Sequence, residues 1–330
     1  MNQSYYIFSS GELRRKDNTL QLIKSDGIKT DIPIERIYDL YVFSEMTINT
    51  KLLNFLSEYG VNLHYFNYYE FYSGTFYPRE RKVSGKLLVK QVEHYTNPEP
   101  RMAIAKEFIE AASYNILRNL RYYNNRGKDL SQPMETIIGL REKISSSAEI
   151  HELMGVEGNI RKTYYDTWKI IINQGIDFEK RVKRPPDNMV NSLISFLNTM
   201  MYTKVLSEIY HTQINPTISY LHEPGDKRFS LALDIAEIFK PILVDRLIFS
   251  LLNKGMISES DFTDCDHFLK LKEPALKKII KEFEETLKRT VSHKSLNRTV
   301  SYRHLIRLEI YKLIKHLLEE KPYEGFKIWW

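Results

Sequence analysis

The sequence predicts an α+β chain, with a small β-rich N-terminal domain followed by a larger, all-α C-terminal domain. Three observations predict this. Up to about residue 78, short apolar runs alternate with turn residues. After the breaker Asn97-Pro98-Glu99-Pro100, apolar residues recur at helical spacing instead. At 330 residues, the chain is too long for one small core.

In the first part, Ser9-Ser10-Gly11, Asp17-Asn18 and Asp26-Gly27 separate the runs YYIF, LQLI and the stretch around Ile28. Asp26-Gly27 is the strongest single hairpin signal, because both residue types tolerate the positive φ that tight hairpin turns require. Residues 37–43 (IYDLYVF) predict another strand. Leu52, Leu53, Phe55 and Leu56 place a helix over 50–59, with Gly60 as its stop. VNLHYF resumes the sheet, and 71–77 reads as a last hairpin. The β-rich domain is therefore assigned to 1–90, a linker to 91–101 and the helical domain to 102–330. Helices are expected over 102–120, 134–144, 147–174, 189–210, 229–252, 273–289 and 302–319. No internal repeat or low-complexity tract is present.

Hydrophobic residues at 42% and charged residues at 27% are those of an ordinary soluble protein. The single cysteine, Cys265, excludes an internal disulfide and a thiolate metal site. No apolar signal segment follows Met1 and no apolar run reaches membrane-spanning length, so a cytoplasmic protein is expected. The net charge of +6 favours an anionic partner. The excess falls on the helical part, since 1–97 carries 12 Lys and Arg against 11 Asp and Glu. Basic clusters at 180–184 (KRVKR), 277–281 and 288–294 are candidates for phosphate contact, or else solvated helix faces. Tyr122-Tyr123, Tyr164-Tyr165 and Trp329-Trp330 offer rings that could stack on bases, but core packing or interface anchoring is the commoner use of each.

Four residues stand out as chemistry. Within 219–246 (SYLHEPGDKRFSLALDIAEIFKPILVDR), Asp234 and Glu237 lie at i and i+3 in a helix that is apolar nearly all round. Buried carboxylates need a cation. His222 precedes a Pro-Gly break, on a turn able to fold back toward the helix start. Pro241, four after Glu237, cannot donate to the Glu237 carbonyl, so a bend is expected there. On a second helix, Glu157 shares a face with Ile160, Tyr164 and Trp168, flanked by Gly155 and Gly158. Glu157, His222 and Glu237 thus form a candidate two-carboxylate, one-imidazole site of the kind that suits Mn2+ or Mg2+. The alternative is structural ion pairing of the acids with Arg161, Arg228 or Arg246.

Taken in order, IPIERIYDLYVFSEMTIN, GVNLHYF, LLVKQVEHY, RMAIAKEFIEAASYNIL, LMGVEGNIRKTYYDTW and the 219–246 segment resemble the CRISPR-associated spacer-acquisition integrase and endonuclease family, the "Cas one" family. The resemblance covers essentially the whole chain. It implies metal ligands at Glu157, His222 and Glu237, with Asp234 supporting, through water or by orienting His222. It implies Mn2+ or Mg2+ as cofactor, a β-rich domain that makes a homodimer, and a small "Cas two" partner bridging two dimers. The implied activity is insertion of short double-stranded DNA into a CRISPR repeat by 3′-hydroxyl attack. Ser219 stands where the family often has glycine, Lys240 where it often has arginine, and a lysine is missing around 111–113. These departures touch DNA contact and no ligand. The competing reading is a non-catalytic DNA-binding scaffold.

Overall fold

The structure, a computed structural model, describes every residue except 1, 174, 175, 177, 183–185, 226–228, 266–268, 294, 295 and 330. It divides into two compact units, Met1–Val83 and Ser84–Trp330. The first holds β1 (Gln3–Ile7), β2 (Gly11–Lys16), β3 (Thr19–Lys24), β4 (Lys29–Pro33), β5 (Ile37–Val42), β6 (Met46–Ile48), α1 (Thr50–Tyr59), β7 (Asn62–Phe66) and β8 (Tyr72–Phe76). Two four-stranded sheets form, in the orders β1-β5-β7-β8 and β4-β3-β2-β6. β5 runs parallel to both β1 and β7, and its burial on both faces explains why its sequence does not alternate. Apolar side chains from both sheets and α1 close one core, with Leu13, Leu20, Leu40, Phe55 and Leu56 fully buried.

The turn chemistry works as the residue types require. Asn49 caps α1, its Oδ1 accepting from Leu52 N at 3.0 Å, and Gly60 ends it at φ +67°. The tightest hairpin, however, is at Asp17-Asn18, with Asp17 at φ +51°, while Asp26-Gly27 sits in a longer connection with Gly27 at +83°. The 71–77 stretch contributes a single strand, β8, paired antiparallel with β7, rather than a hairpin of its own.

The second unit holds α2 (Gly85–Thr96), α3 (Pro98–Asn124), α4 (Ser131–Ser146), α5 (Ile150–Asp166), α6 (Trp168–Ile171), α7 (Met189–Tyr210), α8 (Ser230–Phe239), α9 (Arg246–Asn253), β9 (Phe262–Asp264), β10 (Leu269–Leu271), α10 (Glu273–Lys288), β11 (Thr290–His293), β12 (Arg298–Ser301) and α11 (Tyr302–Leu317). The mostly helical character is as expected, with two corrections. The unit is not all-α, since β9–β10 and β11–β12 form short antiparallel hairpins, too brief for a periodic signal. Nor is 91–101 an irregular linker. Asn97 closes α2, and Pro98 opens α3 at a position where a missing N–H costs no hydrogen bond, so the break is one residue long.

Two long helical patterns are also interrupted. Ser147 bonds back to the Lys143 carbonyl and ends α4, and the Thr167 hydroxyl takes the Tyr164 carbonyl at 2.6 Å, separating α5 from α6. Residues 229–252 contain a π-helical turn, Lys240–Asp245, at the Pro241 where a bend was expected. α7 is buried all round, and even its Lys204 and Glu208 are inside, meeting Glu284 at 2.8 Å and Arg307 at 2.7 Å.

α3 ties this unit together through two asparagines one turn apart. Asn115 Nδ2 donates to the Ile238 and Phe326 carbonyls, each at 3.0 Å, and its Oδ1 accepts from Ile328 N at 2.9 Å. Asn119 Nδ2 reaches the Pro241 carbonyl at 2.7 Å and the Tyr164 hydroxyl at 3.1 Å. Asn115 thereby fastens the irregular segment 322–329 to α8, where Phe326 stacks on Phe239 at 5.5 Å. Asn115→Ala leaves three buried backbone groups without that partner. It is expected to lower unfolding free energy by roughly 3 kcal/mol in denaturant titration.

Candidate metal centre

His222 is positioned from behind. The loop before α8 is held by Gln91 of α2, whose side chain pairs with both Asn215 N (2.8 Å) and Asn215 O (3.1 Å), and by Arg101 of α3, donating to the Tyr220 carbonyl at 3.0 Å. The segment expected to be a linker thus supplies the loop's supports. Asp234, fully buried on α8, gathers the end of the loop. Its Oδ2 accepts from Tyr220 N (2.8 Å) and Leu221 N (3.0 Å), and its Oδ1 from His222 N (3.0 Å) and the His222 ring Nδ1 (2.7 Å). Three consecutive backbone donors around one carboxylate form an anion nest. With the proton on Nδ1, the His222 Nε2 presents a lone pair. Burial pushes the His222 imidazole down, but the Asp234 hydrogen bond and charge outweigh it and leave its pKa above the usual value.

Glu157 and Glu237 meet at one guanidinium. Arg161 Nε donates to Glu157 Oε1 at 3.0 Å, and the same side chain pairs with Glu237 Oε2. It also faces the Glu237 carbonyl at 3.4 Å, the carbonyl that Pro241 cannot serve. Lys240 pairs with Glu237 Oε1. Burial pushes the Glu237 carboxyl up, and the charges of Lys240 and Arg161 outweigh that, holding it at about 2. The Glu237 charge reaches His222 as well.

The structure therefore brings Glu157 and Glu237 together and ties Asp234 to His222. Among the described residues, however, no three His, Cys, Asp or Glu side chains are gathered so as to hold a metal ion, because the two glutamates converge on Arg161. The ion-pair alternative is present for Arg161. Arg246 instead donates to Asn119 Oδ1 at 2.6 Å, and Arg228 lies outside the described residues. Gly155 and Gly158 are exposed, and a Cβ on either would meet nothing within 4 Å, so the surface beside Glu157 is open.

Sequence reasoning named Lys240 only as a departure bearing on DNA contact and missed its pairing with Glu237, signalled by the i+3 spacing. It also missed Asn119 and Asn115, two amides one turn apart in an apolar stripe. Asp245 is buried with Oδ2 lacking a hydrogen-bond partner. Of the basic clusters, Lys277 pairs with Glu273 at 2.6 Å and Lys288 with Glu285 at 2.9 Å, as on solvated helix faces. Lys183, Arg184 and Lys294 lie outside the described residues, as does Trp330. Tyr164 is core, whereas Tyr122 is exposed beneath Arg126, 4.4 Å from its ring centre. Among the described residues, no helix is long and apolar enough to cross a membrane.

The sequence profile described as "CRISPR associated protein Cas1" matches residues 5–285. The chain belongs to the Cas1 family. A Cas1 relative from Fusobacterium nucleatum subsp. nucleatum, named CRISPR-associated endonuclease Cas1, is 60% identical over 330 residues, covering 100% of this chain and 98% of the relative. The solved structure of a Cas1 protein from Thermotoga maritima superposes with a TM-score of 0.89 at 40% identity, over 98% of this chain and 100% of that one. The Cas1 fold also recurs in a casposase bound to integration product, with TM-score 0.87, 20% identity, and coverage of 98% of this chain and 93% of that one. It recurs again in a Cas6-RT-Cas1–Cas2 complex, with TM-score 0.87, 18% identity, and coverage of 100% of this chain and 36% of that one.

Because the Asp234 carboxylate is what raises the His222 pKa, Asp234→Asn is expected to move the midpoint of the His222 ring-proton NMR titration to lower pH. An unchanged midpoint would show that the contact does not govern the ring.

Proposed function

We propose that this chain is a metal-dependent DNA endonuclease and integrase of CRISPR adaptation, joining the 3′-hydroxyl of a short duplex to a phosphodiester at a CRISPR repeat. The observation that carries the reading is the meeting of Glu157 and Glu237, from two separate helices, at Arg161, with Glu237 in electrostatic reach of an imidazole fixed through Nδ1. Family membership and the endonuclease name of the 60%-identical relative support it. Two carboxylates and an imidazole nitrogen fit Mn2+ or Mg2+ by donor type, and the cationic charge of Arg161 and Lys240 marks how strongly the acid pair calls for a counter-ion.

Glu157, Glu237 and the His222 Nε2 would hold the ion. Bound there, it supplies Lewis-acid stabilisation of a scissile phosphate and its leaving 3′-oxygen. Asp234, all of whose acceptor positions face loop donors, orients His222 and presents its Nε2. The exposed backbone at Gly155 and Gly158 lets a nucleic-acid strand come close to Glu157. The basic excess of the helical unit, with Tyr122 and Arg126 on its surface, holds duplex by phosphate contact without reading bases. By the same family logic, the β-rich unit makes the homodimer, the small "Cas two" protein, Cas2, bridges two dimers, and the assembly works in the cytoplasm.

The ion pairing of the acids favours one competing reading, a DNA-binding scaffold in which Glu157, Arg161 and Glu237 only stabilise the fold. The two part in one assay with supercoiled repeat-bearing plasmid, a short duplex with free 3′-hydroxyls, the Cas2 partner, and Mn2+ or Mg2+. Glu157→Gln and His222→Ala are each expected to reduce nicking and joining by about 100-fold or more while retaining salt-sensitive DNA binding. Wild-type rates in both variants, or no turnover in the wild type, would leave the scaffold.

A further inference from the structure

Arg161 poses a problem that the proposed metal site does not by itself resolve. Its guanidinium occupies Glu157 Oε1 and Glu237 Oε2, two of the oxygens a dication would use. It stays protonated at any working pH, and its neighbours raise its pKa further. It is also mostly buried, with 12% of its side chain exposed, so it cannot simply be turned out with all its donors unmet. Lys240 is nearly as buried, at 15% exposed, but it carries its charge on a flexible stem with a single nitrogen to turn toward water.

An acceptor for the guanidinium is already in place. Asp245, at the end of the π-helical turn, is 1% exposed, its Oδ2 has no hydrogen-bond partner, and it makes no salt bridge among the described residues. Burial pushes its carboxyl up to about 7, and the Arg161 charge is the foremost influence acting the other way, which sets the two groups within electrostatic reach. The Tyr164 hydroxyl meets the same carboxyl. A buried acid with an unpaired oxygen, near a guanidinium that belongs elsewhere, is half of an ion pair.

We propose that Arg161 is a displaceable counter-ion, which holds Glu157 and Glu237 together when metal is absent and passes to Asp245 when a dication takes the two acids. This rests on the metal reading above. In the first state Glu157 and Glu237 face Arg161 and Lys240. In the second they face the ion, and Arg161 faces Asp245. Asp245 is thus a positioning residue that sets metal affinity without being a ligand. The ion shifts the equilibrium only by its differential affinity for the two states, so whatever weakens the second state weakens binding.

The test is calorimetric titration of MnCl2 into the full chain without DNA at about pH 8, where Asp245 is ionised, alongside thermal melting. Wild type is expected to bind, and Glu157→Gln to bind about 10- to 100-fold more weakly. Failure of either overturns the metal reading and this inference with it. Given both, Asp245→Asn is expected to weaken Mn2+ binding by about tenfold or more, with no fall in the metal-free melting temperature. Arg161→Gln is expected to lower that melting temperature, and Mn2+ should bind it more tightly than wild type. In the Arg161→Gln background, Asp245→Asn is expected to have no further effect on affinity. If Arg161→Gln does not fold, Arg161→Lys takes its place, with the Asp245→Asn effect expected to shrink. Wild-type affinity in Asp245→Asn, or an equal loss in both backgrounds, overturns the displacement while leaving the metal reading standing.

Discussion

The site depends first on one buried carboxylate. Asp234 has no exposed surface, and the free energy of burying its charge is offset by four donors taken from the loop before it. Those donors are what turn an irregular stretch into a fixed one. Without them Tyr220, Leu221 and His222 would face an apolar helix with their N–H groups unmet. The imidazole orientation, the lone pair it offers and the position of the loop all follow from the same contact. Gln91 and Arg101 then hold the loop from its other side, so two helices and one acid specify where a single ring lies.

The glutamates are handled differently. They sit where solvent still reaches part of Glu157, and they are answered by side chains rather than by backbone. Backbone donors cannot leave, but side-chain cations can. His222 is thus fixed through Asp234 and backbone donors, whereas the glutamates are held by the side chains of Arg161 and Lys240. Two acids brought together in so buried a setting would repel if those cations were absent.

Much of this was legible in the sequence. The apolar stripe of α5 placed Glu157 inward, the all-round apolarity of α8 announced burial of Asp234, and Pro241 announced the break in the ladder. Glu237 and Arg161 each follow from helical spacing. Their meeting does not, because no periodicity says which two helices face one another. The 91–101 stretch reads as a linker because a Pro-rich breaker marks a stop without saying that the next helix begins one residue later. β9 to β12 escaped because strands of three or four residues carry no period. Asn115 and Asn119 read as ordinary helix residues, because their use lies in partners far along the chain, among them the Ile238, Phe326 and Pro241 carbonyls.

The π turn also sets phase. An α-helix advances about 100° per residue, so the extra residue in Lys240–Asp245 turns all that follows by about that angle relative to a straight continuation. Asp234 and Glu237 address the loop and Arg161 from one side of the turn, while Asp245 and Arg246 are aimed from the other. The chain there behaves like a spare tooth in a ratchet. Losing one residue between Pro241 and Val244 could be absorbed locally by closing the turn to α, with little change in length. The apolar face of α9 would stay on the core and Asp245 would keep its bearing, because the extra residue is the one removed. The same deletion in a straight helix such as α7 would instead swing every later side chain by about 100°.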